Sequence, residues 1–191
     1  KDFQVDLDRN ILSIRRALMG KTFSFKPLMG RLVGKDRGKL RPLKIPTIGD
    51  RVVQRAVRNV IEKYFKKFNL PCSYGYIENK SREHAVERIA SLRDRGYQYV
   101  LEADIKGFFD AVNQQILTQK INSTLQDSSI NYLIQDALRA EIGNKKEFSN
   151  EEITFFPDGT IGIPQGGILS PLFANVYLSG FDKKMLGDGF K

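Results

Sequence analysis

Two stretches of the chain carry residue types whose spacing suits chemistry. The first, VLEADIKGFFDAVN (100–113), sets Asp104 at the end of an aromatic and β-branched run and Asp110 six residues later, with Phe108 and Phe109 between them. A carboxylate at a rigid strand end is well placed to ligate a divalent cation, and the carbonyl of Ile105 can add a second hard oxygen. The same aspartates also suit a purely structural use, Asp104 closing a turn and Asp110 capping a helix from about Asn113. The second stretch, GIPQGGILSPLFANVYL (162–178), contains Pro164, Gln165, Gly166 and Gly167 just before a helix start. So little side-chain bulk lets another molecule approach the backbone, and Gln165 offers an amide that both donates and accepts. That loop suits a platform for a base pair or a phosphate, and equally a plain turn feeding a helix.

Composition closes several other chemistries. One cysteine, Cys72, excludes an internal disulfide framework and a cysteine-rich zinc site, and one histidine, His84, leaves little room for imidazole catalysis. His84 reads as a surface residue and Cys72 as packed in a turn. No apolar run approaches the roughly 18 residues of a membrane span. The 191 residues, 41% of them hydrophobic, suffice for one real core, and the net charge is +9. That charge is uneven, because residues 1–70 hold 18 basic and six acidic side chains and the remainder is slightly acidic. So concentrated a positive charge self-repels unless an anion lies near, which points to a nucleic acid.

The elements that must position these residues follow from periodicity. Leu7, Ile11, Ile14 and Leu18 predict a short helix capped by Asp6 or Asp8 and ended by Gly20. Residues 30–49 suit a β-hairpin or loop with KDRGK at its tip. From Asp50, a long amphipathic helix buries Val53, Val57, Val60, Ile61, Tyr64 and Phe68 and places Arg51, Arg55 and Arg58 near one face. Ser81 caps a helix with Ala85, Val86, Ile89 and Leu92 inward, and Gly96 ends it. YQYVLEAD (97–104) reads as a strand delivering Asp104. Helices follow near 113–125 and 129–142, then a hairpin over 153–163 around Pro-Asp-Gly. The last helix begins with Ser170 as cap and Pro171 in its first turn, and buries Leu172, Phe173, Val176, Tyr177 and Phe181. Helices with few strands make the fold class α+β.

Taken together, KLRPLKIPTIGDRVVQRAV, CSYGYIENKSREHAVE, VLEADIKGFFDAVN and GIPQGGILSPLFANVYLSGFD resemble the consecutive blocks of a reverse transcriptase of the bacterial group II intron type. The blocks run in order from about residue 39 to 182, some three quarters of the chain. The resemblance implies a right-hand polymerase fold: an N-terminal extension over 1–30, basic fingers over 31–96, and an incomplete palm with fingers-proximal helices over 97–191. It implies two Mg²⁺ ions in the complete enzyme, an RNA template, a DNA primer, dNTPs and an intron RNA as partners, a cytoplasmic location away from membranes, and leaves a homodimer open.

Residue by residue, Asp104 matches the first metal-binding aspartate and Ile105 supplies its carbonyl. Phe109 matches the ring beneath the deoxyribose, which leaves no room for a 2′-hydroxyl. Arg41, with Lys35 or Lys39, matches the cations on the triphosphate, and Gln165 the glutamine beside the nascent pair, with Gly166 and Gly167 at its backbone. Arg51, Arg55 and Arg58 form a candidate template track. The family's Tyr-Ala-Asp-Asp motif does not occur in this sequence, so the chain by itself is expected to be an inactive piece of a longer enzyme without its thumb. CSYGYIENKS departs from the family's more basic version after SYG, and QGGILSP argues against the diversity-generating branch. The alternative function is a non-catalytic, maturase-like RNA-binding module served by the same basic surface.

Overall fold

The computed structural model describes residues 2–34, 40–139, 141–156 and 159–191. Its elements are α1 (Asp2–Val5), α2 (Leu7–Met19), β1 (Met29–Gly34), β2 (Leu40–Ile45), α3 (Ile48–Phe65), α4 (Arg82–Asp94), α5 (Phe108–Ala111), α6 (Gln114–Asn122), α7 (Asn131–Arg139), α8 (Asn150–Ile153) and α9 (Ser170–Gly187). Short 3₁₀ turns join several of them.

The main core forms where the apolar stripes of α3, α6, α7 and α9 meet. Val53, Val57, Ile61 and Phe65 pack with Leu117, Ile121, Leu133, Ile134, Phe173 and Val176, all buried. Each such side chain contributes about 1.5–3 kcal/mol by leaving water. Ile14 and Leu18 of α2 lean on this core, whereas Leu7 and Ile11 remain exposed. A smaller cluster of Leu28, Ile142 and Phe156, joined by Leu32, Phe148 and Ile153, lies beneath the hairpin.

The expected hairpin is present, with β1 and β2 antiparallel and Gly30 opposite Lys44, Leu32 opposite Pro42 and Val33 opposite Arg41. The predicted tip, with Lys35 and Lys39, lies outside the described residues. The helix expected from Asp50 starts two residues earlier, because the Thr47 hydroxyl accepts the Asp50 N–H and caps it. Val60 and Tyr64 are exposed rather than buried, and their places on the inner stripe fall to Asp50 and Gln54. Ser81 caps α4 as predicted, with the His84 ring accepting from the Ser81 N–H in return. Val86 and Ile89 nevertheless are exposed.

Other expectations fail for identifiable reasons. The 97–104 segment is not a strand: Tyr99, Val100 and Leu101 are 96, 82 and 71% exposed. A strand needs a neighbour for its N–H and C=O groups, and among the described residues none pairs with this segment. The Pro157 and Asp158 turn of the hairpin expected over 153–163 lies outside the described residues, and the described residues on either side of it form no strand pair with each other. The Ser149–Glu152 capping box starts the helical turn α8, Phe156 turns into the cluster beneath β1, and Ile161 makes a single bridge to Asn113. Ser170 lies inside α9 rather than capping it, because its hydroxyl donates to Pro164 O at 2.6 Å, and Phe181 is exposed. The helices near 113–125 and 129–142 are present in shorter form as α6 and α7, the first capped by Asn113.

Gln114 links these parts. Its Nε2 donates to Leu138 O, Gly159 O and Gly162 O at 3.1, 3.0 and 2.8 Å, tying the end of α7 to the chain entering the 164–170 loop. Gln114→Ala leaves these carbonyls without that donor and is expected to cost about 1–3 kcal/mol in urea denaturation. An unchanged midpoint would show that water replaces the amide at no cost.

Candidate nucleotide site

Gln165 stands at the meeting point of three segments far apart in sequence. Its carbonyl accepts the Lys44 N–H of β2 at 2.7 Å. Its side-chain Nε2 donates to both carboxylate oxygens of Asp110 at 3.1 and 3.2 Å. The backbone therefore holds the hairpin and the side chain holds the FFD segment.

The local sequence explains why this junction is tight. Gly162 has φ +83°, and a Cβ there would lie 2.8 Å from Phe109 O and 2.9 Å from Asp110 O. Only glycine lets the chain approach so closely, and the Gly162 and Ile163 N–H groups then donate to Val112 O and Phe109 O at 2.8 and 2.7 Å. Gly166, at φ +115°, is exposed, and a Cβ there would stand 3.0 Å from Lys44 O. The Gly167 N–H is used within the loop, on Pro164 O. Gln54 on α3 accepts the Ile168 N–H at 2.8 Å, so the buried polar residue on the inner stripe of α3 pins the loop from behind.

The hairpin base is held from both edges. Gly30 and Lys44 face each other as a pair whose polar backbone groups point outward. The Asn144 amide takes both groups of Gly30, accepting its N–H at 2.7 Å and donating to its carbonyl at 3.1 Å, while Gln165 takes the N–H of Lys44. Strand alternation sets Arg41 on the face opposite Lys44, where it is exposed beside Val33.

Phe109 is half-buried, its ring edge-on to Phe108 at 5.4 Å, and Phe108 in turn lies 6.1 Å from the Tyr177 ring. Burial pushes the Asp110 carboxyl above its ordinary pKa, while the Gln165 hydrogen bond and the Lys44 charge pull it back. The structure thus brings together Phe109, Gln165, Gly166 and Gly167. Asp104 and Ile105 lie on the exposed 97–106 segment, where the Asp104 side chain makes no hydrogen bond or ion pair among the described residues. Arg51 and Arg55 are exposed, whereas Arg58 is largely covered and paired with Glu62 at 3.0 Å.

Sequence reasoning missed Gln54, Lys44 and Asn144 as site builders. Gln54 had a legible signal, a polar residue at a core position of an amphipathic helix. Lys44 and Asn144 had none, because their roles run through backbone groups of distant segments.

The arrangement is that of polymerase fingers set against part of a palm, and the solved "Partial Cas6-RT-Cas1--Cas2 complex" is similar to it, with TM-score 0.56 and 28% identity over 96% of this chain and 31% of that one. The chain belongs to the reverse transcriptase (RNA-dependent DNA polymerase) family, whose model matches residues 33–188. Protein YkfC of Escherichia coli K12 is 32% identical over 83% of this chain, and the group II intron-encoded protein LtrA of Lactococcus lactis 32% over 94%. The nuclear intron maturase 4 of Arabidopsis thaliana is 26% identical over 89%. The chain spans 41% of the length of YkfC and 28% of LtrA.

The family generally uses divalent metal ions. Such ions take hard oxygen donors, the chemical type of a carboxylate such as Asp104 and a carbonyl such as that of Ile105. Among the described residues no group of three His, Cys, Asp or Glu side chains converges on one point. No helix among the described residues is long and apolar enough to cross a membrane.

The Asp110 shift makes a signed prediction. Its folded pKa lies above the unfolded value of about 4, so the group's contribution to stability is fully present below that value and is lost as pH rises through the folded pKa. Asp110→Asn removes this slope. The variant is expected to gain stability relative to wild type as pH rises from about 4 towards neutrality, read from denaturation midpoints across that range, and parallel curves would contradict the assignment.

Proposed function

We propose that this chain forms the fingers and part of the palm of an RNA-directed DNA polymerase of the group II intron type, which extends a DNA primer with dNTPs on an RNA template. The observation that carries the reading is the junction at Gln165, where the aromatic FFD segment of one block meets the amide and exposed glycine of another at the base of a basic hairpin. Identity to LtrA over nearly the whole chain supports the intron type and an intron RNA as a further partner.

In this reading Phe109 packs under the deoxyribose and excludes a 2′-hydroxyl. Arg41 on the outer face of β2, with Lys35 and Lys39 at the tip, holds the triphosphate by charge. Gln165 lies beside the nascent pair, with the backbone at Gly166 and Gly167 forming the platform. Arg51 and Arg55 follow the template backbone, and Arg58 orders the same face through Glu62. Asp104 and the Ile105 carbonyl hold divalent cations, two Mg²⁺ in the complete enzyme. Bound there, such ions offset charge on the phosphates and on the primer oxygen. The remaining donors come from the rest of the longer protein, which also covers the apolar face left open by α4 and residues 97–106 and gives that segment its strand partner.

A maturase-like RNA-binding module is the second reading, favoured by the exposure of Asp104 on a segment that converges with no second carboxylate pair among the described residues. The two part at Asp104. In the full-length protein, Asp104→Ala is expected to abolish DNA synthesis while RNA affinity in a filter-binding titration stays within about twofold, since one carboxylate adds little to a contact dominated by cations. Persistent synthesis would remove the metal assignment. Phe109→Ala is expected to raise rNTP incorporation relative to dNTP at least tenfold, a difference of about 1.4 kcal/mol in transition-state binding, and unchanged sugar selectivity would remove that role.

A further inference from the structure

Asp110 has no part in the roles assigned above, yet it makes the closest polar contact to the Gln165 side chain. An ionised carboxylate only accepts hydrogen bonds, whereas a primary amide donates at one end and accepts at the other. Both Asp110 oxygens lie within 3.2 Å of Nε2, so the amide has one favoured orientation. Gln165 Oε1, at the other end, accepts no hydrogen bond among the described residues.

We propose that Asp110 is a positioning residue whose carboxylate takes the Gln165 amide nitrogen and so turns Oε1 towards the nucleotide as an acceptor. The inference rests on the nucleotide-site reading of Gln165 and adds the polarity of that contact. The substrate must then present a donor there, and because a polymerase takes all four nucleotides, the donor belongs to what they share. The minor-groove edges share only acceptors, and among the bases guanine alone adds a donor. The sugar hydroxyl is the donor common to all four.

Several features favour this orienting use over a simple tie. The carboxylate is held partly out of water, where a neutral residue of the same shape would cost less. The backbone of Gln165 is already fixed through Lys44 and the Gly162 turn, so the loop does not need Asp110 to stay in place. Burial raises the Asp110 pKa, and the Gln165 hydrogen bond and then the Lys44 charge partly offset it by favouring the ionised form that cannot donate.

The test is a double-mutant cycle in the full-length enzyme, reading kcat and KM for each dNTP in primer extension. Asp110→Ala is expected to lower kcat/KM for all four dNTPs about tenfold, mainly through KM. Asp110→Asn, which keeps the shape and guards against misfolding, is expected to lower it several-fold because its amide can face Gln165 either way round. Neither change is expected to add to the loss in a Gln165→Ala background. Discrimination between dNTP and the 3′-deoxy analogue should narrow in Asp110→Ala, a readout that a purely structural tie would not move. If the Asp110 variants lose kcat/KM equally with and without Gln165, or keep full nucleotide kcat/KM and full 3′ discrimination, the inference is overturned and the polymerase reading stands. If Gln165→Ala itself leaves kcat/KM unchanged, or the wild-type full-length protein makes no DNA, the nucleotide-site reading falls and this inference falls with it.

Discussion

The hydrogen bonding of one residue, Gln165, determines how the two functional halves of the chain meet. Its carbonyl holds the base of the hairpin through Lys44 and its amide holds the FFD segment through Asp110. A hairpin of two strands is marginal in water, and this one gains its rigidity from the Asn144 amide on one edge, the Gln165 carbonyl on the other, and the Leu28, Ile142 and Phe156 cluster beneath. The helical core then supplies the platform, because Gln54 on α3 and Ser170 at the start of α9 fix the loop that carries Gln165.

Charge is arranged in two regimes. On the hairpin and the outer face of α3, arginines are exposed, and their interaction with a polyanion depends on salt and number rather than on exact placement. Around Asp110 the groups are half-buried, and the Asp110 oxygens and the Gln165 amide nitrogen are matched as acceptor and donor. In the proposed function the first regime would supply general affinity for phosphates. The second, in the same reading, would discriminate between groups on a nucleotide.

Lys80 shows how a departure from the family pattern is absorbed. Its ammonium donates to Leu70, Pro71 and Ser73 carbonyls at 3.1, 3.0 and 2.7 Å and lies 4.8 Å from the Tyr74 ring centre. Ser73 and Gly75 are in turn bonded to Asp182 and Asn175 of α9. The lysine of CSYGYIENKS is therefore committed to holding its own turn on α9.

Local patterns and the order of the family blocks were legible in the sequence by itself. Helices α2, α3, α4 and α9, the hairpin, the Ser81 cap and the reverse transcriptase family all follow from spacing and motif, because capping and amphipathic periodicity act within a few residues. The membership of the site was legible in part, with Phe109 and Gln165 singled out and Asp110 noted for its spacing alone. Only tertiary structure decided that Asp110 meets Gln165, that Gln54 faces inward, that Phe156 leaves its expected hairpin and that 97–104 stands without a ladder. In each case the deciding partner lies tens of residues away, and a hydrogen bond or a packed ring has no signature in the sequence around either member alone.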